Sequence, residues 1–220
     1  FGNDSPQWRT LSAQTVATYI LTQRATPFVY QGDEIGMTNF PFTDIGQFDD
    51  VEVKGLWKDF VLTGKTTPDE LLAHLRVNSR DHARTPVQWT AGTNAGFTDG
   101  TPWLAVNPNH VEVNAEQVTT DPHSVYHWYR QLIEARKNND VLVHGTYADV
   151  DPDHETVFGY TRTLEHETML VVMNWSTETV EWTVPRGLTV RDTVLDNTGS
   201  THTGEVLRLS GWQSCILRVE

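Results

Sequence analysis

Beyond residue 139 the chain stops reading as helix, and this restricts its fold more than any other feature. Segments 141–150, 156–163, 168–175, 178–184, 189–195, 205–209 and 213–219 are strand-length and rich in Val, Thr, Tyr, Phe and Trp. Turn signals separate them, among them Asp151-Pro152-Asp153, Pro185-Arg186-Gly187 and Asn197-Thr198-Gly199. No helical period interrupts the series. Residues 141–220 therefore read as a small all-β unit, an antiparallel sandwich.

Residues 1–140 have a different character. Val16, Tyr19, Ile20 and Gln23 fall three or four apart, which predicts a helix over 11–24. Pro27 stops it. Phe28-Val29-Tyr30 follows, a β-forming apolar run suited to a buried strand. It turns abruptly polar at Gln31-Gly32-Asp33-Glu34, with Gly36 just beyond. A strand ending in amide and carboxylates, with glycines freeing the backbone, is how α/β proteins present polar groups at a strand's C-terminal end. An ordinary polar loop fits the same letters. A second helix is expected over 49–61, with Val53, Trp57, Phe60 and Val61 on one side. A third begins at Thr67, with Pro68 in its first position and Glu70 closing a capping box. The stretch 90–121 reads as loop, carrying Gly92, Gly96, Gly100, Pro102 and Pro108. Asp121-Pro122 then opens a helix with Val125, Trp128, Tyr129, Leu132 and Ile133 on its core face and Arg136 and Lys137 in its last turn.

The net charge of −13 argues against a sequence-independent nucleic-acid surface and against an anionic-membrane surface. The longest apolar run, 169–173, is far too short to span a membrane. Cys215 is the single cysteine, so no intrachain disulfide forms, and its strand-like setting predicts a buried structural thiol. No signal peptide is visible, and the expected location is the cytoplasm. The chain opens Phe1-Gly2-Asn3-Asp4, without Met, and reads as a piece of something longer.

Arg80-Asp81-His82-Ala83-Arg84 packs hydrogen-bonding arms into a loop just after a helix. An arginine fork binds vicinal hydroxyls or a carboxylate with two bonds at once. Asp81, Glu52 and Asp33 are the carboxylates within its expected reach, and a purely structural Arg–Asp network is the competing reading. Trp89, Phe97, Pro102 and Trp103 suggest a sugar platform, but a loop folded over its own aromatics is the favoured reading. The nine histidines are scattered and none makes a tight ligand pair with carboxylate support, so no metal is expected. There is no phosphate-cradling loop and no Ser elbow. The doublets Asp33-Glu34 and Asp49-Asp50 lack the separation that two glycosidase carboxylates require.

The stretches Tyr30-Gln31-Gly32-Asp33-Glu34-Ile35-Gly36-Met37-Thr38-Asn39, Arg80-Asp81-His82-Ala83-Arg84-Thr85-Pro86-Val87-Gln88-Trp89, Ala95-Gly96-Phe97, Pro102-Trp103 and Val106-Asn107-Pro108-Asn109 together resemble the C-terminal part of exo-acting α-glucosidases of glycoside hydrolase family 13, the α-amylase superfamily. The branch is that of oligo-1,6-glucosidase and dextran glucosidase. His82 and Val87 stand where that branch usually has Asn and Met. The resemblance implies the end of a (β/α)8 TIM barrel (helix 7, strand 8 at 26–33, helix 8) over 1–140, followed by an antiparallel β domain C over 141–220. It implies a retaining mechanism whose nucleophile, acid/base and stabilising carboxylates all lie upstream of this chain, so no catalytic residue is expected here. It implies that Arg80, paired with an Asp upstream of this chain, binds the non-reducing terminal glucose, that Glu52 touches the next sugar, and that Arg84 lies near the same pocket. Gln31, Asp33 and Glu34 are expected to brace the strand end. The implied partners are a small oligosaccharide and the remainder of the chain's own barrel, with no cofactor, metal, nucleic acid or membrane. Two alternatives stay open: a catalytically silent carbohydrate-binding or scaffold module, and a related sucrose isomerase or trehalose-phosphate hydrolase.

Overall fold

The computed structural model describes residues 2–220. The helices run in the order α1 (Arg9–Thr22), α2 (Val51–Leu56), α3 (Pro68–Asn78), α4 (Ala115–Thr120), α5 (Val125–Asn138) and α6 (Asp140–His144). The strands follow as β1 (Thr146–Val150), β2 (Val157–Leu164), β3 (Glu167–Asn174), β4 (Val180–Thr183), β5 (Val190–Asp196), β6 (Val206–Leu209) and β7 (Ser214–Val219). The chain divides into two units: Phe1–Gly36 with Asp121–Glu220, and Met37–Thr120.

In the first unit the strands form the expected sandwich. One antiparallel sheet has the order β1-β2-β3-β7-β5, and a second pairs β4 with β6. Strand β3 shows why its centre, residues 169–173, is apolar throughout. Met169, Val171 and Met173 face one core, with Trp128, Leu132 and Leu142 of the helices. Leu170 and Val172 face the other, with Trp182, Leu207 and Leu209 of the small sheet. Successive strand residues point to opposite faces, and here both faces are covered. Cys215 is fully buried in the second core, as its setting predicted.

Helix α1 forms where expected, but a different face of it is buried. Ser12, Thr15, Ala17, Thr18, Leu21 and Thr22 go inside, while Tyr19 is left exposed. The buried hydroxyls are satisfied along the helix itself. Thr15, Thr18 and Thr22 Oγ1 donate to the Leu11, Gln14 and Thr18 carbonyls at 3.0, 2.9 and 2.5 Å. With their hydroxyls partnered, these small polar residues take the interior positions that the apolar period assigned to Val16 and Ile20. The hydroxyls also reach outward: Thr18 Oγ1 accepts from Trp128 Nε1 at 3.0 Å, and Thr22 meets the Tyr160 hydroxyl.

Two buried or half-buried arginines finish these helices. Arg162, with no exposed surface, donates to the carbonyls of Thr22 (2.5 Å), Leu142 (2.8 Å) and Gly145 (2.9 Å). Arg136 donates to those of Leu21 (2.8 Å), Gln23 (3.1 Å), Ala25 (2.8 Å) and Leu142 (2.9 Å). The last carbonyls of a helix have no intrahelical partner, and the guanidinium forks supply one. This support lets residues 140–144 close as α6, where a strand from residue 141 was expected. At Gly145 the chain turns from helix into β1. A Cβ there would lie 2.4 Å from the Val141 carbonyl oxygen.

The expected strand over 26–33 does not form. Residues 26–30 join no helix or strand among the described residues, and Phe28 is 84% exposed. A strand needs a neighbour's N–H and C=O groups, and a hydrophobic run without one remains a run. Asp33–Ile35 instead makes a short 3-10 turn. Gly36 follows with φ +71°, and a Cβ there would lie 2.9 Å from Arg9 Nη1, whose side chain donates to the Gly36 carbonyl.

The second unit is built on Phe40, Phe42, Phe48, Val53, Leu71 and Leu75. Its capping box forms as predicted: Thr67 Oγ1 accepts from Glu70 N at 3.2 Å, and Glu70 accepts from Thr67 N at 2.8 Å. The helix expected over 49–61 splits into α2 and a π-helical turn, Trp57–Val61. The expected loop over 90–121 contains α4, whose buried anchor is Val118.

Candidate sugar-binding site

The second unit gathers the expected site residues around one carboxylate that the sequence reading did not single out. Asp50 caps α2, its Oδ1 accepting from Glu52 N at 2.9 Å. Both of its oxygens also receive Arg80: Nε donates to Oδ2 at 2.8 Å and Nη2 to Oδ1 at 2.6 Å. Arg84 Nη1 donates to the same Oδ2 at 2.9 Å and to Asp81 Oδ1 at 3.1 Å. Asp81 in turn accepts from the backbone N–H groups of Asp49 (2.8 Å) and Asp50 (3.0 Å). The 3-10 turn Arg80–Arg84 is started by Ser79, whose side chain accepts from Asp81 N. One turn of backbone thus aims two arginines and one aspartate at the start of α2.

Burial divides the cluster into a base and a face. The Asp50 and Asp81 side chains are 2% and 0% exposed. Arg80, Glu52 and Arg84 are 55%, 60% and 37% exposed, and Arg80 Nη2 lies 3.2 Å from Glu52 Oε2. The hydrogen bond from Arg80, aided by that from Glu52 N, pulls the Asp50 carboxyl down to about 2. The three residues expected to bind sugar are therefore together, and Glu52 does reach Arg80. Asp33 belongs to the first unit, where its carboxylate accepts from Tyr30 N within its own turn and Glu34 accepts from Gly32 N. Asp50 was visible in the sequence only as half of an acid doublet. The available signal was its place as a cap residue before Val51-Glu52-Val53.

His82, one of the two departures from the usual motif, is a buried pin. Its Nδ1 accepts from Phe40 N at 3.1 Å, so Nε2 carries the proton and donates to the Leu75 carbonyl at 3.0 Å. Burial lowers its pKa, which keeps the ring neutral. Val87, the other departure, is buried.

Of the long loop's aromatics, Trp89 is 50%, Phe97 46% and Trp103 63% exposed. The histidine reading changes. His202 meets Asp196 and Cys215 in the β domain, their ligand-type atoms all within 4.8 Å of one another. Residue spacing hid this because register, not sequence proximity, pairs Asp196 with Cys215. The donors are already spent: Asp196 accepts from His202 Nε2 (2.8 Å) and Gln213 Nε2 (2.7 Å) on one oxygen and from Thr198 and Ser200 on the other. Burial pushes the Cys215 thiol up. The group reads as a hydrogen-bonded plug under the loop after β5.

Comparison with known proteins bears on both parts of the chain. Residues 1–145 match the alpha amylase, catalytic domain family, and residues 148–216 match the maltogenic amylase, C-terminal domain family. Oligo-1,6-glucosidase of Parageobacillus thermoglucosidasius is 37% identical over all of this chain and 40% of its own length. Trehalose-6-phosphate hydrolase of Bacillus subtilis (strain 168) is 41% identical over 86% of this chain and 33% of its own. A mutant isomaltulose synthase from Erwinia rhapontici NX5, solved in complex with sucrose, superposes with a TM-score of 0.97 at 49% identity, over all of this chain and 40% of that one. The chain spans about 40% or less of the length of these relatives. Its barrel-type helices, its antiparallel terminal domain and its matched residues agree: the chain belongs to the α-amylase superfamily, glycoside hydrolase family 13.

Proposed function

We propose that this chain forms the C-terminal part of a retaining α-glucosidase that cleaves terminal α-1,6 or α-1,4 glucosidic links of short oligosaccharides. The observation that carries the reading is the exposed face of the Asp50 cluster. Arg80 and Arg84 are both held by Asp50 yet remain 55% and 37% exposed, with Arg80 beside Glu52. In this reading Arg80 grips the terminal glucose, Glu52 touches the next sugar, and Arg84 supports the same wall. The reacting carboxylates belong to strands upstream, where double displacement through a glycosyl-enzyme intermediate takes place. The protein works in the cytoplasm, with its own upstream barrel as its necessary partner and without cofactor, nucleic acid or membrane. No helix of the described residues is long and apolar enough to cross a membrane.

A second reading, sucrose isomerisation, is favoured by identity: 49% to the isomaltulose synthase against 37% to the oligo-1,6-glucosidase. Incubating the full-length protein with isomaltose, maltose and sucrose separates the two. Glucose released from isomaltose is the expected result, and conversion of sucrose to isomeric disaccharides would replace it with the second reading. The 220-residue chain alone should not turn over p-nitrophenyl α-glucoside, and activity there would overturn the assignment of the reacting acids.

A further inference from the structure

We propose that His82 is a proton-operated latch in the second unit: neutral, it fastens residues 39–42 to the last turn of α3, and protonated, it lets them go. Three side chains tie this segment to the end of α3, where a helix leaves its last carbonyls without intrahelical partners. Asn39 Nδ2 donates to the Arg76 and Val77 carbonyls, both at 3.3 Å. Arg76 Nε donates to the Phe42 carbonyl at 2.6 Å. Between them His82 accepts from Phe40 N at 3.1 Å and donates to the Leu75 carbonyl at 3.0 Å. An amide and a guanidinium keep their charge in weak acid, whereas an imidazole does not. Of the three ties, His82 is therefore the one a proton can undo.

The proton taken from solvent must go on Nδ1, the nitrogen at which the Phe40 N–H already points. Two N–H groups then face each other, and the Phe40 amide loses its acceptor. The bond from Nε2 to Leu75 survives in either state. The ring is 8% exposed and packs against Phe42 with centroids 5.2 Å apart, so the cation cannot be hydrated where it stands. It is relieved by swinging out, which uncovers Phe40 and Phe42. Few charges oppose this. Residues 38–42 carry no titratable side chain. Helix α3 brings Arg76, engaged with Phe42, and His74, whose ring meets Asn78 Nδ2 at 3.3 Å. The turn itself brings Arg80 and Arg84, both bound to Asp50, and Asp81. Asp81 attracts the proton, but its carboxylate is already shared among Arg84 and the N–H groups of Asp49 and Asp50. Burial outweighs that attraction and lowers the pKa of the fastened ring below the ordinary 6.5. The released form thus binds more protons, so the latch is fully closed above pH 6.5 and is lost as pH falls through the lowered folded value. The Asp50 carboxyl, at about 2, titrates well below this range.

The test is hydrogen exchange resolved to single amides on the full-length protein, between about pH 7.5 and pH 5, read as protection relative to the chemical exchange rate. In wild type the Phe40 amide should lose protection about tenfold or more over this range. The Trp89 amide, which donates to the Ala95 carbonyl at 2.9 Å in the same unit, should stay within about twofold. His82→Asn separates the proton from the bond, because asparagine keeps an acceptor at the δ position and cannot titrate. Its Phe40 amide should be protected to within about threefold of wild type at pH 7.5 and should hold that protection down to pH 5. His82→Leu removes both bonds and should leave Phe40 unprotected at either pH, an effect that any structural role for the ring would give. The pH-independence of His82→Asn is what such a role would not give. Equal loss at Phe40 and Trp89 in wild type, or the same acid loss in His82→Asn as in wild type, overturns the proposal. The wild-type comparison decides even where neither variant folds, and it needs no assumption about the substrate.

Discussion

The arginines of the two units are put to opposite uses. In the first, Arg162 and Arg136 bind only carbonyl oxygens in their observed contacts, closing the ends of α1 and α6. In the second, Arg80 and Arg84 bind carboxylates on one edge and leave the other to solvent. A carbonyl-bound arginine with no exposed surface has nothing left to offer a ligand. A carboxylate-bound one is fixed in place and still has donors free. The partner an arginine is given, and the edge it uses, therefore separates a structural clasp from a binding group where residue type alone does not.

That contrast can be broken by four measurements. Arg162→Met removes every donor to the Thr22, Leu142 and Gly145 carbonyls, and should cost about 3–5 kcal/mol in urea unfolding, because buried acceptors are left unmet. Arg84→Met leaves Asp50 with Arg80 and the Glu52 N–H, and should cost only about 1–2 kcal/mol. If the two losses match, the second unit's arginines are clasps as well. Thr67→Ala opens the α3 capping box and should cost about 1 kcal/mol, with faster hydrogen exchange confined to the second unit. Acid titration reads the cluster directly. Asp50's folded pKa, about 2, lies below its ordinary 3.8, so its contribution is complete above pH 3.8 and is lost only as pH falls toward 2. Loss of the cluster's share of stability already near pH 5 would contradict the bidentate geometry.

Much of the fold was legible where period and burial agree. The β domain declared itself because alternating and continuous apolar strands both require a sheet with covered faces. The α3 start was legible because a capping box is local chemistry. Helix α1 was legible as a helix but not in orientation. Hydropathy counts Thr15, Thr18 and Thr22 as polar, whereas their hydroxyls are satisfied by carbonyls of the helix itself, which allows their burial. The run Phe28-Val29-Tyr30 has strand composition, but pairing is a property of its neighbours and no residue in the run encodes it. In the candidate site, Arg80, Glu52 and Arg84 came from motif likeness, and geometry brings them together. Asp50 and the Asp196–His202–Cys215 plug were hidden for the same reason: each depends on long-range contacts, 30 to 34 residues apart in the first case.

The core beneath β3 has a further consequence. Ala17, Leu21, Trp128, Leu132 and Leu142 share it with Tyr160, Met169 and Ile216, so it straddles the point near residue 146 where one family match gives way to the other. Two regions joined by a tether can be exchanged between genes as cassettes. These two cannot, because each supplies half of a common interior and Gly145 leaves no slack at the join. A chimera cut there would join two mismatched half-cores and should unfold at a lower temperature than either parent.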